Sequence, residues 1–255
     1  MLFRSYMLSV LLKKRYRQQF IDKNLKKHID LSIPFVYYPM AVDLERNLLI
    51  NAPFHTNQIE VIRNIAKSLP IGYSLYVKEN PSQVSREWRS ISEYKEIMSV
   101  PNVTLIHPSI PAQQLLKNCS LVITIAGSSG FEAAFYGKPT ITFANVGYSI
   151  LPSVKKVKEI EQLSQLIQTA LVEQVTPSDL EKYLTLLEKN SFDFDLFGFG
   201  SEFKDKFYFG GTLIDVALSS VQIKSFLEQH SKSFNVLSSE HIKKIKQHKE
   251  MDRLQ

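Results

Sequence analysis

The chain has 255 residues, of which 44% are hydrophobic and 22% charged, and a single cysteine, Cys119. Those values describe an ordinary globular protein, long enough for one large or two small domains, and they exclude an internal disulfide framework. The net charge of +6 lies wholly in residues 1–30, where eight Lys and Arg face two Asp. The rest of the chain is neutral, which argues against a nucleic-acid groove on the folded body.

Residues 1–33 read as a basic linker helix. The apolar stretch from Met1 to Leu12 is broken by Arg4, and the cations follow it instead of preceding it, the reverse of a secretory signal. No window reaches the ~20 apolar residues of a membrane span, so a cytoplasmic protein is expected. The basic segment is either a solvated helix or a peripheral contact with an anionic inner-membrane surface.

From residue 34 onward, apolar strands and amphipathic helices alternate. Strands are predicted at 35–38, 73–77 and 103–106, with helices at 58–69, around 92–98 and at 111–118. Next comes Leu121 to Pro139, LVITIAGSSGFEAAFYGKP: a buried strand, a glycine-serine turn, a short helix and a sharp stop before the strand 140–143. A helix over 160–172 closes this region. The alternation predicts an α/β, Rossmann-like parallel sheet with helices on both faces over residues 34–175. Right-handed crossovers then gather the strand-to-helix loops at one edge, where a ligand binds.

The turn Gly127, Ser128, Ser129, Gly130 presents backbone N–H groups and hydroxyls of the kind that hold a phosphate. Ser129 and Glu132 also fit a capping box that does no more than start the helix, and the two readings are compatible. Residues 176–255 form a helical, aromatic extension, with helices at 177–189 and within 222–253. Its segment 191–210 carries seven of the sixteen phenylalanines, an aromatic run expected to cover a partner surface. Asp193 and Asp195 form a D-x-D triplet with no further oxygen ligands nearby. No histidine or cysteine spacing indicates a metal site.

From Tyr37 to about Tyr148 the chain resembles the capsule polysaccharide biosynthesis and export family. The resemblance rests on five motifs in order: Pro39 to Glu45, Pro53 with Gln58, Val77-Lys78-Glu79-Asn80-Pro81, Pro101 to Ile106, and Gly127 to Ala133 followed by Gly137-Lys138-Pro139. It implies the C-terminal, donor-binding half of a GT-B glycosyltransferase that takes a nucleotide-sugar such as CMP-Kdo, with no other cofactor. It implies in turn a lipid-linked or polysaccharide acceptor and a separate N-terminal GT-B domain.

Residue by residue, the resemblance implies that Gly127, Ser128, Ser129 and Gly130 hold the donor phosphate and that Glu132 accepts from ribose hydroxyls. Lys78 is a phosphate partner or a solvated lysine, and Glu79 orients Lys78 or is exposed. Glu45, in the first loop, is the candidate catalytic carboxylate. His107 reads as a packing or capping histidine. Ala41 and Asn80 stand where the family carries histidines. Neither residue can carry a proton, although Asn80 can still donate a hydrogen bond to the donor. That departure favours the alternative of a non-catalytic nucleotide- or glycan-binding component of polysaccharide assembly. An epimerase-like or polyol-phosphate transferase relative with the same half-fold is a third reading.

Overall fold

The computed structural model describes residues 2–43, 46–209 and 217–254. The chain divides into two compact units, Met1–Thr185 and Leu186–Gln255.

The first unit is an α/β fold. Its elements run α1 (Leu2–Asn24), β1 (Phe35–Pro39), α2 (Arg46–Leu49), α3 (Gln58–Ser68), β2 (Ser74–Lys78), α4 (Ile91–Met98), β3 (Val103–Ile106), α5 (Ala112–Asn118), β4 (Leu121–Thr124), α6 (Ser129–Ala134), β5 (Thr140–Thr142), β6 (Val154–Lys156) and α7 (Leu163–Leu171), then most of α8 (Pro177–Asn190). The six strands form one parallel sheet in the order β3-β2-β1-β4-β5-β6. Central strands buried on both faces need apolar side chains at every position, and β4, Leu-Val-Ile-Thr, is buried throughout.

Strand alternation sends the side chains into two cores. Val36, Tyr38, Leu75 and Val77 point to the face covered by α3, α4 and α7, whose Ile62, Tyr94 and Ile167 fill it. Phe35, Tyr37 and Tyr76 point to the opposite face, against Leu115 and Leu116 of α5 and Ala133 of α6. The predicted parallel sheet with helices on both faces is therefore present. The sixth strand, β6, goes beyond the predicted five.

The basic N-terminal helix is rooted in this unit. Ile21 and Leu25 are buried in the first core. Beyond the helix, the Lys26 N–H donates to Leu105 O at 3.0 Å and Lys26 O accepts from the His107 N–H at 2.9 Å, so residue 26 pairs along the outer edge of β3. His107 fixes the helix itself. Its Nδ1 accepts from the Ser109 N–H at 3.1 Å, and Nε2 lies 2.9 Å from Asp22 Oδ1. The histidine is thus a packing group, as its sequence context suggested, and it also tethers α1, which that context did not show.

The second unit holds the end of α8, α9 (Leu196–Phe207), α10 (Ser220–Gln229) and α11 (Ser231–Leu254). Phe199 sits at the centre of an aromatic cluster with Phe194, Phe203, Phe226, His230 and Phe234 at centroid distances of 5.2–6.5 Å. Much of the phenylalanine-rich run expected to cover a partner therefore packs within its own unit, while Phe197 stays exposed. Asp195 of the D-x-D triplet is the N-cap of α9, accepting from the Gly198 N–H at 2.8 Å.

Candidate functional site

In the order 3-2-1-4-5-6 the build direction reverses between β1 and β4. The chain leaves these two strands toward opposite faces, which opens a crevice at their carboxyl ends. A cleft of about 290 Å³ lies there. It is lined by Pro39, Met40 and Ala41 after β1, Asn80 after β2, Leu48 of α2, and Thr124, Ala126, Gly127, Ser128 and Ser129 at the end of β4.

The glycine-serine turn is shaped by close contacts. The Gly127 N–H donates to Thr124 Oγ1 at 3.1 Å, and a Cβ at position 127 would lie 2.8 Å from that same oxygen. The Tyr148 hydroxyl donates to Gly127 O from the other side. A Cβ on Gly130 would meet the Tyr148 hydroxyl at 2.6 Å and Thr140 Cγ2 at 2.8 Å, so this glycine seats α6 directly on β5.

The capping box expected between Ser129 and Glu132 does not form. Ser128 already has helical backbone angles (φ −62, ψ −20), which places Glu132 one turn above it, and its hydroxyl donates to Glu132 Oε1 at 2.9 Å. A capping box exists instead at the start of α4, between Ser90 and Glu93. In the turn, the Gly130 N–H is engaged with Gly127 O at 3.3 Å. The Ser128 and Ser129 N–H groups have no acceptor among the described residues, as expected for the first donors of a helix. They are the donors available to a ligand.

Of the residues singled out from the sequence, Asn80, Gly127, Ser128 and Ser129 come together at the cleft. Gly130 lies behind the turn, and Glu132 reaches the site only through Ser128. Asn80 uses its carbonyl oxygen to cap the following 3-10 turn, accepting from the Ser82 N–H at 3.0 Å. Lys78 is buried at the end of β2, in register with Pro39 and outside the cleft lining. Burial lowers the pKa of its ammonium, against an opposing pull from Glu79. Glu45 lies outside the described residues.

Glu79, expected to orient Lys78 or to be exposed, is fully buried and bound elsewhere. Its carboxylate accepts from Arg89 Nε at 2.9 Å, the Tyr94 hydroxyl at 2.9 Å and the Asn80 N–H at 2.8 Å. Burial, outweighing the hydrogen bonds from Tyr94 and Asn80 that favour the carboxylate, pushes this carboxyl up to about 7. With a guanidinium at 2.9 Å, the ionised form is the one the site holds. Arg89 also donates to Ala41 O at 2.7 Å and pairs with Asp43. From the other side, Gln58 Oε1 accepts from the Ala41 N–H at 2.8 Å, and Gln58 Nε2 donates to Ala41 O at 2.9 Å and Asp43 Oδ1 at 2.8 Å.

Segment 41–43, whose Ala41 lines the cleft, is thus clamped by two buried side chains. Sequence reasoning missed Arg89 and the clamping role of Gln58. The one available signal was Glu79 itself, since a carboxylate ending an apolar strand needs a buried cation to accompany it. A second cavity of about 370 Å³, lined by Asp43, Gln58, Arg89 and Glu93 among others, shares Leu48 as a wall with the first.

A model of the capsule polysaccharide biosynthesis protein family matches residues 5–153. The chain belongs to this family. The match spans α1 to β5, including the cleft and its clamp. No curated protein matches the chain. Among solved structures it is similar to the beta Kdo 2,7 transferase of Thermosulfurimonas dismutans KpsC, with 14% identity and a TM-score of 0.42 over 74% of this chain and 62% of that one. The beta Kdo 2,4 transferase of the same KpsC gives 14% identity and a TM-score of 0.38 over 62% and 54%. The Methanocaldococcus jannaschii UDP-GlcNAc 2-epimerase in complex with UDP-GlcNAc and UDP gives 16% and 0.38 over 71% and 51%. The chain spans less than two thirds of the length of each.

Proposed function

We propose that this capsule-biosynthesis protein is the donor-binding half of a GT-B-type glycosyltransferase, and that the cleft between the ends of β1 and β4 takes the phosphate of a nucleotide-sugar of the CMP-Kdo kind. The observation that carries this reading is the cleft's position at the switch point of the sheet, with Ser128 and Ser129 N–H groups that no described residue engages and a serine hydroxyl on its wall. A departing phosphate is stabilised by such fixed donors, which need no reorganisation as charge develops. In this reading Asn80 and Lys78 add to the anion's surroundings, Glu132 takes the ribose hydroxyls, and Glu45 is the carboxylate offered to the reacting carbon. The acceptor, lipid-linked or polysaccharide, is brought by a separate N-terminal domain.

One observation favours the non-catalytic alternative. None of the described residues lining the cleft can exchange a proton near neutral pH, Ala41 and Asn80 included. Titration calorimetry of the purified chain with CMP and CMP-Kdo separates the possibilities. Binding is expected, and Ser128→Ala with Glu132→Ala is expected to weaken it by about tenfold or more, the loss of one to two charge-assisted hydrogen bonds. Unchanged affinity in the double variant would remove the site. Binding of CMP-Kdo without CMP release, even with acceptor and an added N-terminal domain, would select the binding component over the transferase.

A further inference from the structure

We propose that the exposed part of α1 seats this chain on an anionic lipid surface. Two halves of the helix behave differently. Its root is fixed: Arg17 donates to Trp88 O at 2.6 Å, Gln18 accepts from the Trp88 indole at 2.8 Å, and Asp22 meets His107. Over residues 11–16, by contrast, every residue is exposed, with Leu11 at 59%, Leu12 at 57% and Tyr16 at 65%. A helix held this firmly at its root carries the stretch before the root clear of the core, and residues 11–16 show two leucines to water.

Between those apolar residues stand Lys13, Lys14 and Arg15, none with an acidic partner among the described residues. The combination identifies the occupant. Exposed leucines call for an apolar cover, and the flanking cations call for an anionic one. A bilayer with acidic headgroups supplies both at one depth, since lysine and arginine stems lie along the acyl boundary while their charges reach the phosphates. A second copy of the chain fits poorly, because it would bring two segments of net charge +6 together. A nucleic acid would leave the leucines uncovered. The contact is peripheral, since no described helix is long and apolar enough to cross a membrane.

The test is sedimentation of the full chain with vesicles of phosphatidylcholine alone and of phosphatidylcholine mixed with phosphatidylglycerol. Binding to the mixed vesicles only, weakening as salt rises, is expected. The charge reversal Lys13→Glu/Lys14→Glu/Arg15→Glu should weaken it by about a hundredfold or more, since three cations near the surface are lost together. Leu11→Ser/Leu12→Ser should weaken it on the same vesicles at equal charge. The pair Lys243→Glu/Lys244→Glu in α11 should not change it. Circular dichroism of each variant establishes that the fold is kept. Equal binding to both vesicles, loss through the α11 pair, retention in the charge-reversed helix, or a Leu11/Leu12-dependent dimer in sedimentation equilibrium would each overturn the proposal. RNA binding that the leucine variant leaves unchanged would overturn it as well.

Discussion

Arg89 and Lys78 are two buried cations a few residues from the same cleft, and they carry opposite energetic signs. Arg89 is fully engaged, by Glu79, by Asp43 and by the Ala41 carbonyl. Removing it strands a buried carboxylate, so Arg89→Met is expected to cost about 3–5 kcal/mol in urea unfolding, and Glu79→Leu added to it should recover most of that loss. The clamp also sets segment 41–43, so the single variant should bind CMP more weakly while it remains folded.

Lys78 makes no hydrogen bond or ion pair with a described residue, and burial lowers its pKa below the ordinary lysine value of 10.5. A depressed folded-state pKa means that the charged form costs stability at neutral pH, and that this cost fades as pH rises through the folded pKa toward 10.5. Lys78→Met is therefore expected to raise the melting temperature by about 2–4 °C at neutral pH, on roughly 1 kcal/mol of relieved desolvation. The gain should shrink in alkaline buffer. A drop in stability at neutral pH would mean that the ammonium has a partner after all.

At the scale of elements, the turn into α6 depends on what has no side chain. Gly130→Ala pushes a methyl into the Tyr148 hydroxyl and Thr140. The expected penalty is about 1–3 kcal/mol by thermal or urea unfolding, with α6 displaced from β5. An unaffected melting curve would show that Tyr148 moves aside freely. The same stretch shows what is legible in a sequence. The apolar runs of β1 to β5 stand out because strands buried on both faces admit few other residues. Their alternation with helices carries the topology, and with it the position of the cleft.

β6 escapes such reading. It has three residues, Val154, Lys155 and Lys156, at the open edge of the sheet, where two lysines reach Glu173 and Asn145 and no apolar run is needed. α9 escapes because two glycines within Leu196–Phe207 argue against a helix, and aromatic packing outweighs that propensity. At the site, the turn was legible because glycine and serine are unusual after an apolar strand. The clamp was not, because Arg89, Gln58 and Asp43 meet only through tertiary contact.

For the whole molecule, the pairing between the N-terminal segment and β3 has a further consequence. Residue 26 closes the outer edge of the sheet by bonding to Leu105 and His107, and Asp22 reaches His107 across 85 residues of chain. During synthesis the basic segment is made well before the strand that receives it. β1 likewise waits for β2 and then for β4, which stands beside it although six of the helices and strands named above separate the two in the chain. The order of assembly thus runs against the order of manufacture: the stretch that emerges early has no docking surface until His107 has followed it. Through that interval Ile21 and Leu25 are without the core that buries them in the folded chain.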